Sequence, residues 1–330
     1  RPDVRFIELR KPPGQTVRIL PRLWSTLRRL APRIFHTRNV ATLEGQLSAW
    51  LAGVPHRVHG EHGWDMGDLD GTNLRILRLR RLMRHFVHHQ IALSSPTERY
   101  LTEKVGVATS RVTNICNGVD TDLFTPSLDL HHDRAALAGY AFDPDAFVVG
   151  AVGRFAAVKN LPMLIQAFAT VRHRNEAFAR RARLALVGDG PEQGKLERIL
   201  AEHGLTDLTW LPGARNDVPA CLRSFDLLCL PSLAEGISNA VLEAMASGLP
   251  VIATDVGGNA ELVDHENAGF LVASGASDAL ADRIEHYFKD PSLLARHRAA
   301  ARQRAVTQFS LQGMVQRYHD VYSQLLSSGR

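Results

Sequence analysis

Residues 231–258 read PSLAEGISNAVLEAMASGLPVIATDVGG, and this stretch decides the fold class. A loop enters a helical pattern at Asn239–Ala246, the small pair Ser247-Gly248 closes it, and Pro250 leads into the apolar run Val251-Ile252-Ala253-Thr254. Strand, loop, helix and strand in that order are the unit of a parallel sheet, and the apolar run Leu227–Leu230 supplies the preceding strand. Two glutamates, Glu235 and Glu243, stand eight residues apart across the loop and the helix. The N–H groups of the helix's first turn, at about Ile237 to Ala240, lack internal partners and are suited to an anion.

Working outward, the alternation continues from Phe147 to the C-terminus. Further strands are expected at Phe147–Ala151, Leu184–Val187, Leu208–Leu211 and Gly269–Val272, with helices at Leu161–Arg172 and Glu192–His203. This predicts a doubly wound α/β domain, whose ligands bind at the carboxyl ends of the strands. The loops of interest are therefore Gly153–Asn160, Gly188–Pro191, Pro212–Asp217 and Pro231–Ser238. The N-terminal part reads as a second, less regular α/β domain. Its expected strands are Arg33–His36, Arg57–His59, Ile91–Ser94 and Arg111–Ile115, with a helix at Leu43–Ala52. The chain opens on a strand-like run, Val4–Leu9, with no earlier βα unit, so the N-terminal domain is expected to lack its first one. The expected domains are 1–126 and 127–308, with 309–330 forming a terminal amphipathic helix; Phe124–Asp145 reads as a Pro- and Asp-rich linker.

Length and composition suit two globular domains: 330 residues, 45% hydrophobic and 22% charged. No apolar run reaches the ~20 residues that span a bilayer. The charged opening Arg1–Arg10 lacks the apolar core of a leader, so none is expected there. Cys116, Cys221 and Cys229 form no C-x-x-C pair and are expected to be free thiols in a reducing cytoplasm. The net charge of +5 is uneven: residues 1–130 carry 19 basic against 12 acidic side chains. That surplus suits an anionic partner such as a membrane surface, or simply a soluble basic domain. A nucleic-acid partner rests on charge alone, and no interleaving of aromatic and basic residues supports it, so none is expected.

In the loop Gly153-Arg154-Phe155-Ala156-Ala157-Val158-Lys159-Asn160, glycine permits a sharp turn at a strand end. Arg154 and Lys159 can then converge on a diphosphate. Two surface cations would be the bland reading, and the second anion site near Ile237 weighs against it. Gly188-Asp189-Gly190 is only a fragment of a dinucleotide fingerprint. An acid/base dyad of Glu235 and Glu243 is disfavoured, because Glu235 precedes the helix and the two do not share a face. Separate binding roles fit better, with Glu235 on sugar hydroxyls and Glu243 on ribose hydroxyls. A phosphate between two hydroxyl-rich ends describes a nucleotide sugar. The D-x-D pattern occurs at Asp68–Asp70, Asp120–Asp122 and Asp143–Asp145, always in loops, so no metal or other cofactor is expected. His62, in His59-Gly60-Glu61-His62-Gly63-Trp64-Asp65, follows a strand and would face an interdomain cleft, though loop histidines are more often structural. The stretch Leu74–His89 reads as one helix, with an apolar stripe of Leu79, Leu82, Met83 and Phe86 and with Arg78, Arg80, Arg81 and Arg84 opposite. Such a helix either packs on the core or lies on an anionic membrane.

Together these residues resemble the retaining GT-B glycosyltransferases of group 1, also called family 4. The resemblance rests on Glu235-Gly236-Ile237-Ser238-Asn239-Ala240-Val241-Leu242-Glu243 followed by Ala-Met-Ala, on Gly153-Arg154-Phe155 with Lys159-Asn160, and on the turn Asn117-Gly118-Val119-Asp120. It extends from about Arg33 to the terminal helix, which in this fold crosses back to the N-domain. His36-Thr37-Arg38-Asn39 and Gly60-Glu61-His62-Gly63 are also similar to a branch linked to exosortase-associated exopolysaccharide loci. The family's glycine-rich loop after the first strand has no counterpart here, and Ile237-Ser238 replaces the usual Phe-Gly.

The resemblance implies two Rossmann-like domains facing a cleft and transfer of a hexose from a nucleoside diphosphate sugar, with retention, to a glycan or lipid-linked glycan. It implies donor contacts from Gly153, Arg154, Lys159, Asn160, Gly188, Arg215, Glu235, Gly236, Ile237, Ser238, Asn239 and Glu243. His62, Glu235, Arg154 and Lys159 take the catalytic roles. The base is expected near Pro212–Arg215, largely on backbone. The expected setting is cytoplasmic, peripheral to the inner face of the membrane. The rival reading is a catalytically inactive module that binds nucleotide sugar or membrane.

Overall fold

The computed structural model describes residues 4–10, 16–62, 71–137, 139–140 and 142–327. The chain divides into two compact units, one holding residues up to Cys116 together with those from Gln316 onward, the other Asn117–Val315. Residues 117–126, expected with the N-terminal domain, thus belong to the second unit. Val119 pairs there with Ser310, donating to Phe309 O at 2.8 Å and accepting from Leu311 N at 2.8 Å.

The first unit has a four-stranded parallel sheet of β1 (Ile34–Arg38), β2 (His56–Glu61), β3 (His89–Ala92) and β4 (Val112–Asn114), paired in that order. The helix Thr16–Leu30 packs Leu23 and Leu27 against Ala49 and Val54; the sequence reading did not anticipate it. Residues 4–10 form no strand, and Phe6 is 91% exposed. An apolar run becomes a strand only where a neighbouring edge takes its backbone hydrogen bonds. The expected helix Leu74–His89 ends at Met83, passes through a 3-10 turn at Arg84–Phe86, and gives His89 to β3. Its buried face holds Leu77, Arg80 and Met83, while Leu82 is 61% exposed. Arg80 is therefore not on the solvent side, because the Glu61 carboxylate on β2 draws it inward. Its Nε and Nη2 reach the two carboxylate oxygens at 2.8 and 3.0 Å, and both residues are buried.

The second unit has six parallel strands: β5 (Phe147–Val152), β6 (Ala182–Val187), β7 (Thr209–Gly213), β8 (Leu227–Leu230), β9 (Val251–Thr254) and β10 (Gly269–Val272). Their order is β10-β9-β8-β5-β6-β7. The chain fills one side of β5 and then returns to fill the other, so the order reverses between β5 and β8. β8 and β9 are buried at every position, as expected of a sheet covered on both faces. Phe147, Phe168, Phe178 and Phe288 interlock on one face with ring centroids 5.1 to 6.2 Å apart. The segment expected as a linker, 124–145, carries the helix Leu130–Ala136, capped by the Asp129 carboxylate accepting from His132 N at 3.0 Å.

Candidate functional site

The switch between β5 and β8 places their two carboxyl-end loops side by side, where open α/β sheets bind ligands. Leu233 N donates to Val158 O at 2.8 Å and joins these loops directly. Across the join, Lys159 Nζ donates to Glu235 Oε1 at 2.6 Å, and Ser232 Oγ donates to the same oxygen at 2.7 Å. The two side chains are 24% and 10% exposed. An ammonium has three donors, so Lys159 keeps others for an incoming anion.

On the other flank, Phe155 N donates to Asp189 O at 2.6 Å and Gly188 N to Gly213 O at 3.0 Å, tying the β6 and β7 loops to the cradle. The glycines are needed here. Gly188 has φ +145°, and a Cβ on it would lie 1.9 Å from Gly153 O. Gly257, at φ +56°, lies so close to the β8 loop that a Cβ would come within 1.7 Å of Glu235 O. The Gly257-Gly258 pair, with Gly258 N donating to Gly236 O at 2.9 Å, therefore holds the Glu235–Ile237 backbone in place.

Ser238 caps the helix Asn239–Ala246, its Oγ accepting from Val241 N at 3.4 Å. The N–H groups of Asn239 and Ala240 remain without an intrahelical partner and point out of the helix start. Asn117 Nδ2 donates to Asn239 Oδ1 at 2.8 Å, so the Asn-Gly-Val-Asp turn supports this end of the cradle. Ile237 is buried, and Arg154 is exposed. Asn160, in the left-handed conformation at φ 47°, starts the helix Leu161–Arg174. Glu243 lies one turn into the helix Asn239–Ala246 without an ion pair among the described residues, and burial pushes its carboxyl up to about 7. Arg215 is committed elsewhere: it holds Asp217 through Nε at 2.7 Å and Nη2 at 2.6 Å, and lies 5.4 Å from the Trp210 ring centroid.

His62 belongs to the first unit, at the carboxyl end of β2. The Arg38 guanidinium approaches both its ring nitrogens at 3.0 Å; a neutral ring offers one acceptor, so one contact is a hydrogen bond. Burial, then Arg38 and His59, lower its pKa to about 4. Gly60 leaves room for this ring, since a Cβ there would sit 2.6 Å from His62 Nε2. Beneath it lies a polar network: Thr37 Oγ1 contacts His59 Nδ1 at 2.8 Å and accepts from Gln46 Nε2 at 2.6 Å. His36 Nδ1 meets the Tyr322 hydroxyl at 2.6 Å.

Of the D-x-D patterns, Asp68–Asp70 lies outside the described residues. Asp120 and Asp143 use a carboxylate oxygen to cap their own turns, accepting from Asp122 N at 3.0 Å and Asp145 N at 2.8 Å. Among the described residues no group of three or more His, Cys, Asp or Glu is placed to hold a metal ion, and the three cysteines are free thiols. Sequence reasoning missed Ser232, Asn117 acting on Asn239, and the Gly257-Gly258 support. Only the glycine pair left a local signal, a double glycine two residues beyond a strand.

Two family models match the chain, one described as glycosyl transferases group 1 over residues 146–290 and one as glycosyltransferase family 4 over residues 1–123. EpsF of Bacillus subtilis (strain 168) is 33% identical over 211 residues, 63% of this chain and 53% of that protein. An Escherichia coli UDP-Gal:alpha-D-GlcNAc-diphosphoundecaprenol alpha-1,3-galactosyltransferase is 27% identical over 304 residues, 91% of this chain and 77% of that enzyme. The chain thus spans about half of the first relative and three quarters of the second. Among solved structures, Anabaena HepE in complex with UDP-glucose superposes with a TM-score of 0.80 at 26% identity, covering 95% of this chain and 84% of that one.

Proposed function

We propose that this chain, which belongs to the group 1 glycosyltransferases and has their GT-B fold, transfers a hexose from a nucleoside diphosphate sugar to a glycan or lipid-linked glycan. One observation carries the reading. Lys159, Glu235 and the start of the helix Asn239–Ala246 meet at the β5/β8 switch, with the unpaired Glu243 one turn along that helix. That order matches a ligand with sugar, diphosphate and ribose in sequence. The UDP-glucose complex of HepE and the UDP-galactose donor of the Escherichia coli enzyme support a UDP sugar as the donor, and the latter's diphosphoundecaprenol substrate supports a lipid-linked acceptor.

In this reading the β-phosphate takes hydrogen bonds from Lys159, Arg154 and the Asn239 and Ala240 N–H groups. Sugar hydroxyls take over the Glu235 oxygens, and ribose hydroxyls donate to Glu243. Charge grows on the leaving phosphate as the glycosidic bond breaks, so donors already in place act most strongly at that moment. The anomeric configuration is retained by attack from the face the leaving group departs, without a metal. We assign His62 a hydrogen bond to the donor sugar; a ring kept neutral supports this, since it can donate without adding positive charge. Gly153, Asn160, Gly188 and Arg215 serve as the backbone frame of the donor site. No described helix is long and apolar enough to cross a membrane, and the basic first unit supports peripheral attachment at its cytoplasmic face.

Calorimetric titration with UDP-glucose tests the site. Lys159→Ala and Glu243→Ala should each weaken binding at least tenfold, and unchanged affinity in both removes the assignment. NMR of the product gives its anomeric configuration, and chelation by EDTA should leave turnover unchanged.

A further inference from the structure

A second cavity, of about 630 Å³, lies at the opposite edge of the second unit's sheet. Phe225 and Leu249 line it and directly precede β8 and β9, whereas the donor cradle follows the carboxyl ends of the strands. A four-residue strand separates the two edges by roughly 13 Å. Three guanidiniums line the cavity, those of Arg223, Arg298 and Arg302. Arg223 donates to Asp133 at 3.2 Å and Arg298 to Asp226 at 3.0 Å, and Asp226 is shared with the buried Arg134 at 2.7 Å. Arg302 donates only to backbone carbonyls, Phe124 O at 2.8 Å, Ala246 O at 2.6 Å and Thr121 O at 3.1 Å. Two carboxylates thus face four guanidiniums, and the Arg302 charge has no counter-ion among the described residues.

Polar atoms behind the same wall are also unpaired among the described residues. Ser247 is 3% exposed, lines the cavity, and its Oγ has no partner among the described residues. Ser127 Oγ and Arg298 Nε, also on lining side chains, are buried and without a partner among the described residues as well. Buried polar atoms without partners are uncommon, and three lie on side chains of this one positively charged wall; they are sealed as the wall stands, and an acceptor-rich guest pairs them once those side chains turn toward it. Leu130, Phe225 and Leu249 form an apolar wall beside them, so the guest needs an apolar body as well as oxygens.

We propose that this cavity binds a phosphomonoester carried on an apolar body, at a site separate from the donor cradle. The phosphate would sit against the Arg302 guanidinium, with Arg298 and the Ser127 and Ser247 hydroxyls turning toward its remaining oxygens. Calorimetry with phenyl phosphate is the test, with inorganic phosphate and benzyl alcohol as its two halves. Phenyl phosphate should bind at least tenfold more tightly than either half. Arg302→Gln and Ala299→Phe should each weaken it at least tenfold; the second fills the cavity from a side chain that makes no hydrogen bond, so it remains informative if the first misfolds. Lys159→Ala, on the donor side, should leave the affinity unchanged. Equal binding of inorganic phosphate, indifference to Ala299→Phe, or loss in Lys159→Ala would each overturn the proposal.

Discussion

At Gly188 a single methyl group decides whether the β5 and β6 loops close on each other. Its φ of +145° excludes ordinary side chains, and the clashing atom is a backbone oxygen of Gly153 that has nowhere to move. Gly188→Ala should cost about 2–3 kcal/mol, read as a lowered urea midpoint, whereas an unchanged midpoint would show that the loop yields. Glu243 poses the opposite case, a carboxylate whose own fold disfavours its charge. With its pKa raised from 4.5 to about 7, the ligand-free protein loses stability as pH rises through that window. Glu243→Gln should therefore raise the denaturation midpoint at pH 8, by about 1–2 kcal/mol, and leave it unchanged near pH 4. In the proposed donor site ribose hydroxyls would favour the ionised form, so UDP-glucose binding at pH 7 should release protons, detectable as a buffer-dependent binding enthalpy. Both glutamates were legible in the sequence, because their spacing is local. The Lys159–Glu235 ion pair was not, since it joins residues 76 positions apart.

Elements are joined by a few buried charges. Asp226, just before β8, accepts from Val148 N at 2.7 Å and pairs with Arg134 at 2.7 Å and Arg298 at 3.0 Å. It therefore connects the sheet to the helix Leu130–Ala136 and to the helix Pro291–Gln308. Asp226→Ala would leave Arg134, which is 2% exposed, without its carboxylate. The expected loss is about 3–5 kcal/mol by urea denaturation, with a smaller loss for Asp226→Asn. A loss below 1 kcal/mol would show the connection to be dispensable. The helix Leu74–Met83 makes the related point about legibility. Periodicity found a helix there, but a wheel cannot know that Glu61 waits beneath Arg80, so it assigned the arginine to solvent. Strands were read more accurately than helix faces: Leu227–Leu230, Val251–Thr254 and Gly269–Val272 carry the bounds expected from their apolar runs. Val4–Leu9 looked like a strand for the same reason and is not one, because no strand edge takes its backbone groups.

Across the whole molecule, buried groups contribute opposite pH dependences. In the first unit, burial above all, with Arg38 and the neighbouring histidine rings, lowers His36 and His62 to about 4. The unfolded chain then binds more protons between pH 6.5 and 4, so stability falls on acidification through that range. Glu61 adds a second loss at lower pH. Burial opposes its ionisation, but the His59 ring 3.4 Å away and the hydrogen bonds from Arg80 hold it at about 2, and its contribution disappears between pH 4.5 and 2. Urea midpoints should accordingly fall from pH 6.5 to 4, with a shallower slope in His36→Asn; an unaltered slope would take His36 out of the account. Glu243 acts in the other direction in the second unit. The sequence by itself determined the succession of strands along the second unit, the class of the fold, and the candidate groups for a sugar nucleotide, because those follow from local periodicity and turn chemistry. Only the tertiary structure decided that β5 and β8 are neighbours, that Lys159 meets Glu235, that Arg215 is spent on Asp217, and that three arginines surround a second cavity. These depend on strand order and on the approach of distant backbones, which are set by burial over the whole sheet and leave no spacing to read.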